Sequence, residues 1–195
     1  MPILSATDEL IGRPSRVLVA GTSGAGKTTV AGWIAEALRV PHTEMDSLYH
    51  GPDWVPRPSF EADVDALIGQ PEWVAEWQYS LVRPRMAARA DLVVWLDLRR
   101  SVVMAQVIRR TVARQVGRKP IFNGNREPPP WTIFTNAEHI VRWAWTTHHR
   151  AADRIADLLA QRPELRVVRL RNRREVATWL AGPLHRAAGP DQNGD

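Results

Sequence analysis

The chain has 195 residues, a formal net charge of +5, 44% hydrophobic residues and nine tryptophans, which excludes an intrinsically disordered protein. This length suits one domain with a substantial core, and no apolar run approaches the roughly 18 residues of a membrane span. There is no cysteine, so disulfides and thiolate metal sites are excluded. The first residues lack the basic and apolar pattern of a secretory signal. We therefore expect a cytoplasmic monomer or homodimer with no membrane attachment.

A phosphate-binding loop follows the first predicted strand, Arg16 to Ala20, and precedes a predicted helix, Thr29 to Arg39. In such a loop successive backbone N–H groups converge on an anion, and the positive end of the helix adds to the attraction. Lys27 is expected to reach the β- and γ-phosphates of ATP, and the Thr28 hydroxyl to bind Mg²⁺. The loop fits the pattern G-x-x-x-x-G-K-[ST], and its predicted ATP-binding residues are Gly21, Ser23, Gly24, Ala25, Gly26, Lys27, Thr28 and Thr29.

The lysine of this loop stands out against the composition. The chain has only two lysines, Lys27 and Lys119, and all its other basic side chains except histidine are arginine. A compact ammonium on a flexible stem suits this position better than a guanidinium. This favours a true nucleotide-binding loop over a glycine-rich turn that happens to carry a lysine.

A short second strand is predicted from His42 to Met45, ending at Asp46. The segment from Ser47 to Pro58 is rich in proline and glycine and is interpreted as a loop. A helix follows, with apolar residues at helical spacing. These residues are Phe60, Val64, Leu67 and Ile68.

Two further strands are predicted, Trp73 to Glu76 and Leu92 to Leu96, the second closing on Asp97. A basic helix is predicted from Ser101 to Val116, followed by an irregular segment at about 117–134 that contains three consecutive prolines. Strands alternating with helices indicate an α/β protein with a parallel sheet.

The rest of the chain continues this alternation. A capping box at Thr135 to Glu138 opens a helix that runs to about Ala160. The last strand is Leu165 to Leu170 and the last helix is Arg173 to Leu180. We expect one domain over residues 1–183 and a flexible tail over 184–195.

These features resemble the adenylate-kinase-like branch of the P-loop kinases. Within that branch, the chain is similar to the small bacterial proteins called topology modulation proteins or adenylate-kinase-related kinases. The resemblance implies a three-layer α/β fold with a five-stranded parallel sheet of order 2-3-1-4-5, and ligands at the carboxyl ends of the strands. The matching stretches are residues 21–29, 45–50, 73–76, 94–98, 109–111 and 123–127, with Trp54.

The resemblance leaves two choices for the carboxylate associated with Mg²⁺. In the implied sheet Glu76 ends the third strand, which neighbours the loop-bearing strand on the side where P-loop kinases usually place this group. Asp97 ends a more apolar strand but lies on the other side, and it could instead cap the next helix. Glu76 is favoured. Trp77 replaces a glycine of the family pattern, and its indole could stack on a flat acceptor or close the pocket.

The resemblance also assigns an acceptor side. Asp46 stands where related small-molecule kinases place a carboxylate that binds or deprotonates the acceptor hydroxyl. A turn-capping role beside Ser47 is the alternative on local sequence. Tyr49, His50 and Trp54 would then form walls of the acceptor pocket, or simply pack within their loop. The acceptor insert would span about 47–70.

An arginine-rich lid is the last implied feature. Arg110 and Arg114 share a helix face before the irregular segment, as in adenylate kinases whose arginines close over the phosphates. They would neutralise the transferring phosphate, with Arg110 also contacting ATP. The lid would span about 117–134.

Two functions remain open at this level. One is a kinase that transfers the ATP γ-phosphate to a nucleotide, nucleoside or other small molecule, with Lys27, Arg110, Arg114 and Asp46 as its catalytic residues. The other is an ATP-gated regulatory or DNA-associated protein, which the positive charge and the topology label suggest. The kinase is favoured, because Asp46 and the lid serve no purpose in a protein that only clamps DNA. The sequence does not distinguish ATP from GTP, or a kinase from a plain ATPase.

Overall fold

A computed structural model describes residues 3–117 and 150–189, with side chains for 3–110 and 150–189. Five parallel strands form one sheet in the order β2-β3-β1-β4-β5, as expected. Their bounds are Arg16–Gly21 (β1), His42–Thr43 (β2), Trp73–Glu76 (β3), Leu92–Leu96 (β4) and Arg166–Leu170 (β5). The described helices are Lys27–Leu38 (α1), Met45–Tyr49 (α2), Phe60–Ile68 (α3), Arg83–Arg89 (α4), Arg100–Gly117 (α5), Arg150–Gln161 (α6), Arg173–Trp179 (α7) and His185–Ala188 (α8).

Both faces of the sheet are covered. Side chains alternate along a strand, so Val17 and Val19 of β1 join one apolar core while Leu18 and Ala20 join another. Helices α1, α5 and α7 contribute buried residues to the first core, and α3, α4 and α6 contribute to the second. The central strands β1 and β4 are therefore nearly continuous apolar runs, as parallel strands buried on both faces must be.

The register places the carboxyl ends of the central strands together. Val19 of β1 lies beside Glu76, the last residue of β3, and Gly21 lies beside Leu96, the last residue of β4. The phosphate-binding loop, which begins where β1 ends, is thus flanked by the residues that terminate both neighbouring strands. Within residues 3–117 and 150–189, no helix is both long and apolar enough to cross a membrane.

The second strand is shorter than predicted. It ends at Thr43, and Met45–Tyr49 forms helix α2, so Asp46 lies in the first turn of a helix rather than at the end of a strand. The following segment is not a plain loop either, because Pro52–Trp54 forms a 3-10 turn. A helix of only five residues is too short to produce a recognisable apolar repeat in the sequence. The prediction of a strand that ends at Asp46, followed by a loop, was therefore wrong.

Two other boundaries differ from expectation. Helix α4 was missed, because its apolar residues are few and Pro84 stands near its start. The C-terminal helix continues beyond Leu180 through a π-helical turn, Leu180–Leu184, and α8, with Leu184 fully buried. Residues 184–188, at the start of the expected tail, are therefore helical. The predicted lid lies outside the described residues apart from the backbone of Gly117, as does the start of the helix predicted from Thr135.

One contact ties the phosphate-binding loop to α5. Gly24 has a φ of +82°, and a Cβ built on it would stand 2.1 Å from Cγ2 of Val107 on α5. The loop can therefore approach this helix only because residue 24 is glycine. Gly12, with a φ of +74° and no neighbouring atom within 4 Å, provides a site where only the backbone conformation disfavours a side chain.

We expect Gly24→Ala to destabilise the protein by about 1–3 kcal/mol more than Gly12→Ala does, because it adds overpacking to left-handed strain. The free energy of unfolding from chemical denaturation measures both. Val107→Ala introduced into the Gly24→Ala protein should recover part of the loss. Equal effects of the two glycine substitutions, with no recovery, would show that this contact is not tight.

Candidate active site

The phosphate-binding loop has the geometry that anion binding requires. Gly24 and Gly26 adopt left-handed φ values of 82° and 91°, which turn the backbone so that the amide of Ala25 donates to the Thr22 carbonyl at 3.0 Å. Helix α1 begins at Lys27, and no side chain caps its N-terminus. The first-turn N–H groups therefore have no competing side-chain cap, which suits a phosphate at the positive end of the helix.

Lys27 lies over this loop among charged groups. Its ammonium is 3.4 Å from the Thr22 carbonyl oxygen. Burial lowers the pKa of Lys27, the carboxylates of Asp46 and Glu76 act to raise it, and Arg110 and Arg154 lower it again. The lysine is therefore near carboxylates from β3 and α2 and guanidiniums from α5 and α6. The fold thus brings together four of the residues predicted for catalysis or metal binding, Lys27, Asp46, Glu76 and Arg110.

Glu76 is the buried centre of the site, with only 1% of its surface exposed. Its Oε2 accepts the backbone N–H of Met45 at 2.9 Å, and its Oε1 lies 3.4 Å from Nε2 of His42. Burial by itself would raise the pKa of Glu76, but hydrogen bonds from His42, Met45 and the Thr28 side chain outweigh it and the pKa is lowered. The carboxyl is thus held as a carboxylate.

Thr28 and Glu76 fit a magnesium ion. The Thr28 hydroxyl donates a hydrogen bond to the Glu76 carboxylate, beside the loop expected to hold the phosphates. Mg²⁺ prefers oxygen ligands and usually keeps several waters, so a hydroxyl as direct ligand and a carboxylate acting through water suit it. When bound, the ion would neutralise phosphate charge.

Asp97 has a different partner. Its Oδ2 accepts Nε of Arg169 at 2.8 Å, and the same guanidinium lies 4.7 Å from the centre of the Trp95 ring. This arrangement joins the ends of β4 and β5. It engages Asp97 with a cation on the side of the sheet away from Glu76.

Asp46 is held by two side chains that the sequence did not single out. Its Oδ1 accepts Nε2 of Gln78 at 2.7 Å and the hydroxyl of Tyr79 at 2.6 Å. Burial and the Asp46 carboxylate raise the pKa of Tyr79 well above its ordinary value, so this hydroxyl remains a donor. Both donors use Oδ1, and within the described part of the chain Oδ2 accepts no hydrogen bond.

The three aromatic residues predicted to line the acceptor side do lie next to Asp46. Tyr49 stacks on Tyr79 with ring centres 4.2 Å apart. His50 meets Trp54 edge-on at 5.0 Å, and its Nε2 lies 3.3 Å from the Tyr79 hydroxyl. Trp54 is 38% exposed. The group forms an aromatic wall with polar tips, and its role in acceptor binding stays a prediction.

Trp77 has a structural task of its own. Its backbone N–H donates to the Val19 carbonyl at 2.9 Å, and its indole Nε1 donates to the Arg83 carbonyl at 3.1 Å. The half-buried ring packs against the second core. The indole therefore anchors the start of α4, which agrees better with closing the pocket than with stacking on an acceptor.

The arginines divide between predicted and unpredicted positions. Arg110 is half-buried on α5 and acts electrostatically on Lys27. The side chain of Arg114 lies outside the described residues. Sequence reasoning missed Arg83 and Arg154, which join this edge from α4 and α6. The spacing of Arg150 and Arg154 on one helix face was a usable signal, whereas nothing in the sequence connects Arg83 to them.

Comparison with known proteins supports the fold. No model of a known protein family and no curated protein sequence matches the chain. A gluconokinase from Sinorhizobium meliloti 1021 has a similar structure, with a TM-score of 0.52 and 22% identity over 91% of this chain and 95% of the gluconokinase.

Two weaker matches are also kinases. A shikimate kinase from Bacteroides thetaiotaomicron has a TM-score of 0.44 and 15% identity over 86% of this chain and 95% of its own. A sugar kinase from Janibacter sp. HTCC2649 has a TM-score of 0.40 and 17% identity over 96% of this chain and 91% of its own. The gluconokinase match shows that this chain and that protein share a fold. The topology modulation branch stays a prediction.

The different partners of Glu76 and Asp97 lead to a test of the metal assignment. Glu76→Gln should lower the Mg²⁺-dependent part of ATP affinity or turnover about 10- to 100-fold, the usual effect of losing a group that orients a metal shell. The amide oxygen of glutamine can still accept the Met45 N–H, so helix α2 should persist. Asp97→Asn should leave the Mg²⁺ response unchanged and cost at most about 1 kcal/mol of stability, because its ion pair is partly exposed.

Calorimetric titration of each variant with ATP, with and without Mg²⁺, measures the Mg²⁺ response. Circular dichroism shows whether the variant keeps its helices. Loss of the Mg²⁺ response in Asp97→Asn but not in Glu76→Gln would reverse the assignment.

Proposed function

We propose that this protein is a kinase that transfers the γ-phosphate of ATP to a hydroxyl group of a small-molecule acceptor. The observation that carries the proposal is the placement of Asp46, whose Oδ1 is held by Gln78 and Tyr79 and whose carboxylate acts electrostatically on Lys27 of the phosphate-binding loop. A protein that only binds or hydrolyses ATP does not need a second, oriented carboxylate on the acceptor side.

Each residue has a task in this reaction. The loop amides and Lys27 hold the triphosphate, while Thr28 and Glu76 would hold Mg²⁺ directly and through water. The oxygen of the acceptor hydroxyl bonds to the γ-phosphorus, and the bond between the γ-phosphorus and the bridging oxygen breaks, which releases ADP. Asp46 receives the proton of the acceptor hydroxyl in this step. Gln78 and Tyr79 keep the Asp46 carboxylate oriented. Arg110 adds positive charge as negative charge shifts on the phosphate oxygens.

The decisive experiment is a coupled assay of ADP release with purified protein, Mg²⁺-ATP and a panel of nucleosides, nucleotides, sugars and sugar acids. A kinase releases ADP in an acceptor-dependent manner, and mass spectrometry finds the phosphorylated product. ADP release that no acceptor stimulates would indicate an ATPase. If sequence-independent, salt-sensitive DNA binding accompanies it, the ATP-gated DNA-associated function replaces the kinase.

Lys27→Ala should lower acceptor phosphorylation on the order of 10²-fold or more, because it removes the ammonium that faces the transferring phosphate. Arg174→Ala, at an exposed position on α7, is the control for loss of a positive charge. Product formation under saturating ATP measures the effect. Unchanged turnover in Lys27→Ala would exclude this loop as the phosphate donor site.

Asp46→Asn should lower kcat with the acceptor about 10²- to 10⁴-fold, the range contributed by a general base, and leave ATP affinity unchanged. Tyr79→Phe removes one of its two hydrogen-bond donors and should give a smaller loss. Asp157→Asn, at an exposed position on α6, is the matched control. A kcat unchanged in Asp46→Asn would remove Asp46 from the reaction and leave the turn-capping alternative.

A further inference from the structure

Two arginines at the same edge of the sheet have no ion-pair partner in the described part of the chain. The guanidiniums of Arg83 and Arg154 form no salt bridge or hydrogen bond there, although both side chains are partly buried. Arg85, two residues after Arg83, shows the contrast, since it pairs with both Asp65 and Glu61 at 2.7 Å. Partly buried cations without a counter-ion are costly, so this pair indicates a ligand that supplies negative charge.

The packing of α4 and α6 explains why the two arginines meet. Both helices bury residues in the second core, among them Met86 of α4 and Ile155 of α6. At their far ends, Arg162 donates to the carbonyls of Ala87 and Ala90, the latter at 3.1 Å. The helices therefore run in the same direction, and Arg83 and Arg154 lie together near their N-terminal ends.

The electrostatics agree with this placement. Burial lowers the pKa of Arg154, and the guanidiniums of Arg83 and Arg150 lower it further. Asp153 is the acidic neighbour that opposes them, and it is exposed. Burial also lowers the pKa of Arg83. The three arginines are thus close enough to repel one another, as cations grouped around an anion site do.

The arginine pair adjoins the acceptor side. The backbone N–H of Arg83 donates to the Tyr79 carbonyl at 3.1 Å, so one turn of chain separates Arg83 from the residue whose hydroxyl holds Asp46. The indole of Trp77 fixes the same turn through the Arg83 carbonyl. Arg154 acts electrostatically on Lys27 and is itself affected by Arg83, so it is near both the phosphate-binding loop and this turn.

We propose that Arg83 and Arg154 form an anion subsite for the acceptor, so that the acceptor carries a carboxylate or a phosphate ester in addition to the hydroxyl that is phosphorylated. This inference rests on the proposed kinase function and narrows its substrate class. Asp46 receives the hydroxyl, and the two guanidiniums hold the anionic group, which fixes the acceptor between them. Arginine suits both anion types through its two parallel N–H donors.

The test compares acceptors that differ only in the anionic group. The matched pairs are glycerol and glycerate, glucose and gluconate, ribose and ribose 5-phosphate, and adenosine and adenosine monophosphate. We expect ADP release with the anionic member of at least one pair and none with its neutral partner. The acid pairs and the phosphate pairs distinguish a carboxylate acceptor from a phosphate ester.

Variants then assign the subsite. Arg83→Met and Arg154→Met should each raise the KM for the anionic acceptor about 10- to 100-fold, the loss expected for a hydrogen-bonded charge pair. Arg83→Met should leave the Kd for ATP unchanged, and Arg83→Lys should recover part of the KM. Arg109→Met, at an exposed position on α5, makes the same charge change and should have no effect. Thermal unfolding of each variant shows whether it folds.

Binding is measured separately from turnover, by calorimetric titration of the four anions without ATP. If the protein binds ATP but phosphorylates none of these acceptors, the kinase proposal fails. Anion binding that is lost in Arg83→Met and Arg154→Met would still support the subsite. Equal use of neutral and anionic acceptors, or wild-type KM and anion affinity in both methionine variants, overturns the subsite and leaves the kinase intact.

Discussion

A single buried carboxylate, Glu76, joins the parts from which this site is built. It ends β3, receives the N–H of Met45 at the start of α2 and contacts His42 and the Thr28 side chain. A carboxylate with 1% exposure is stable only when hydrogen bonds and nearby cations replace its water. The segments that carry Thr28, His42 and Met45 must therefore come together around it. This interaction holds the start of α2 in place relative to the phosphate-binding loop.

Charges of both signs meet around Lys27 of the phosphate-binding loop. Arg110 and Arg154 are the cations that act on Lys27, and Asp46 and Glu76 are the carboxylates that act on it. Asp46 is oriented through one oxygen by Gln78 and Tyr79. Such fixed groups need little rearrangement as charge develops, which is the main way a protein accelerates this kind of reaction.

The proposed anion subsite gives a reason for an otherwise unfavourable arrangement. Arg85 on helix α4 is paired with Asp65, whereas Arg83 on the same helix and Arg154 are near each other and form no salt bridge within the described residues. Maintaining such repulsion costs stability. Proteins commonly accept that cost at sites where a ligand completes the charge balance.

The sequence alone determined the phosphate-binding loop, the parallel α/β class and the apolar strands, because these depend on local spacing and on the alternation of apolar residues. The resemblance to P-loop kinases, which implies the strand order, favoured Glu76 over Asp97 as the carboxylate associated with Mg²⁺. Only the tertiary structure decided that Asp46 begins a helix, since a carboxylate from a distant strand accepts the Met45 N–H at its N-terminus. The same holds for Gln78 and Tyr79 on Asp46, for Arg169 on Asp97 and for the meeting of Arg83 with Arg154. These contacts join residues far apart in the chain, and no local pattern records which of them the packing will bring together.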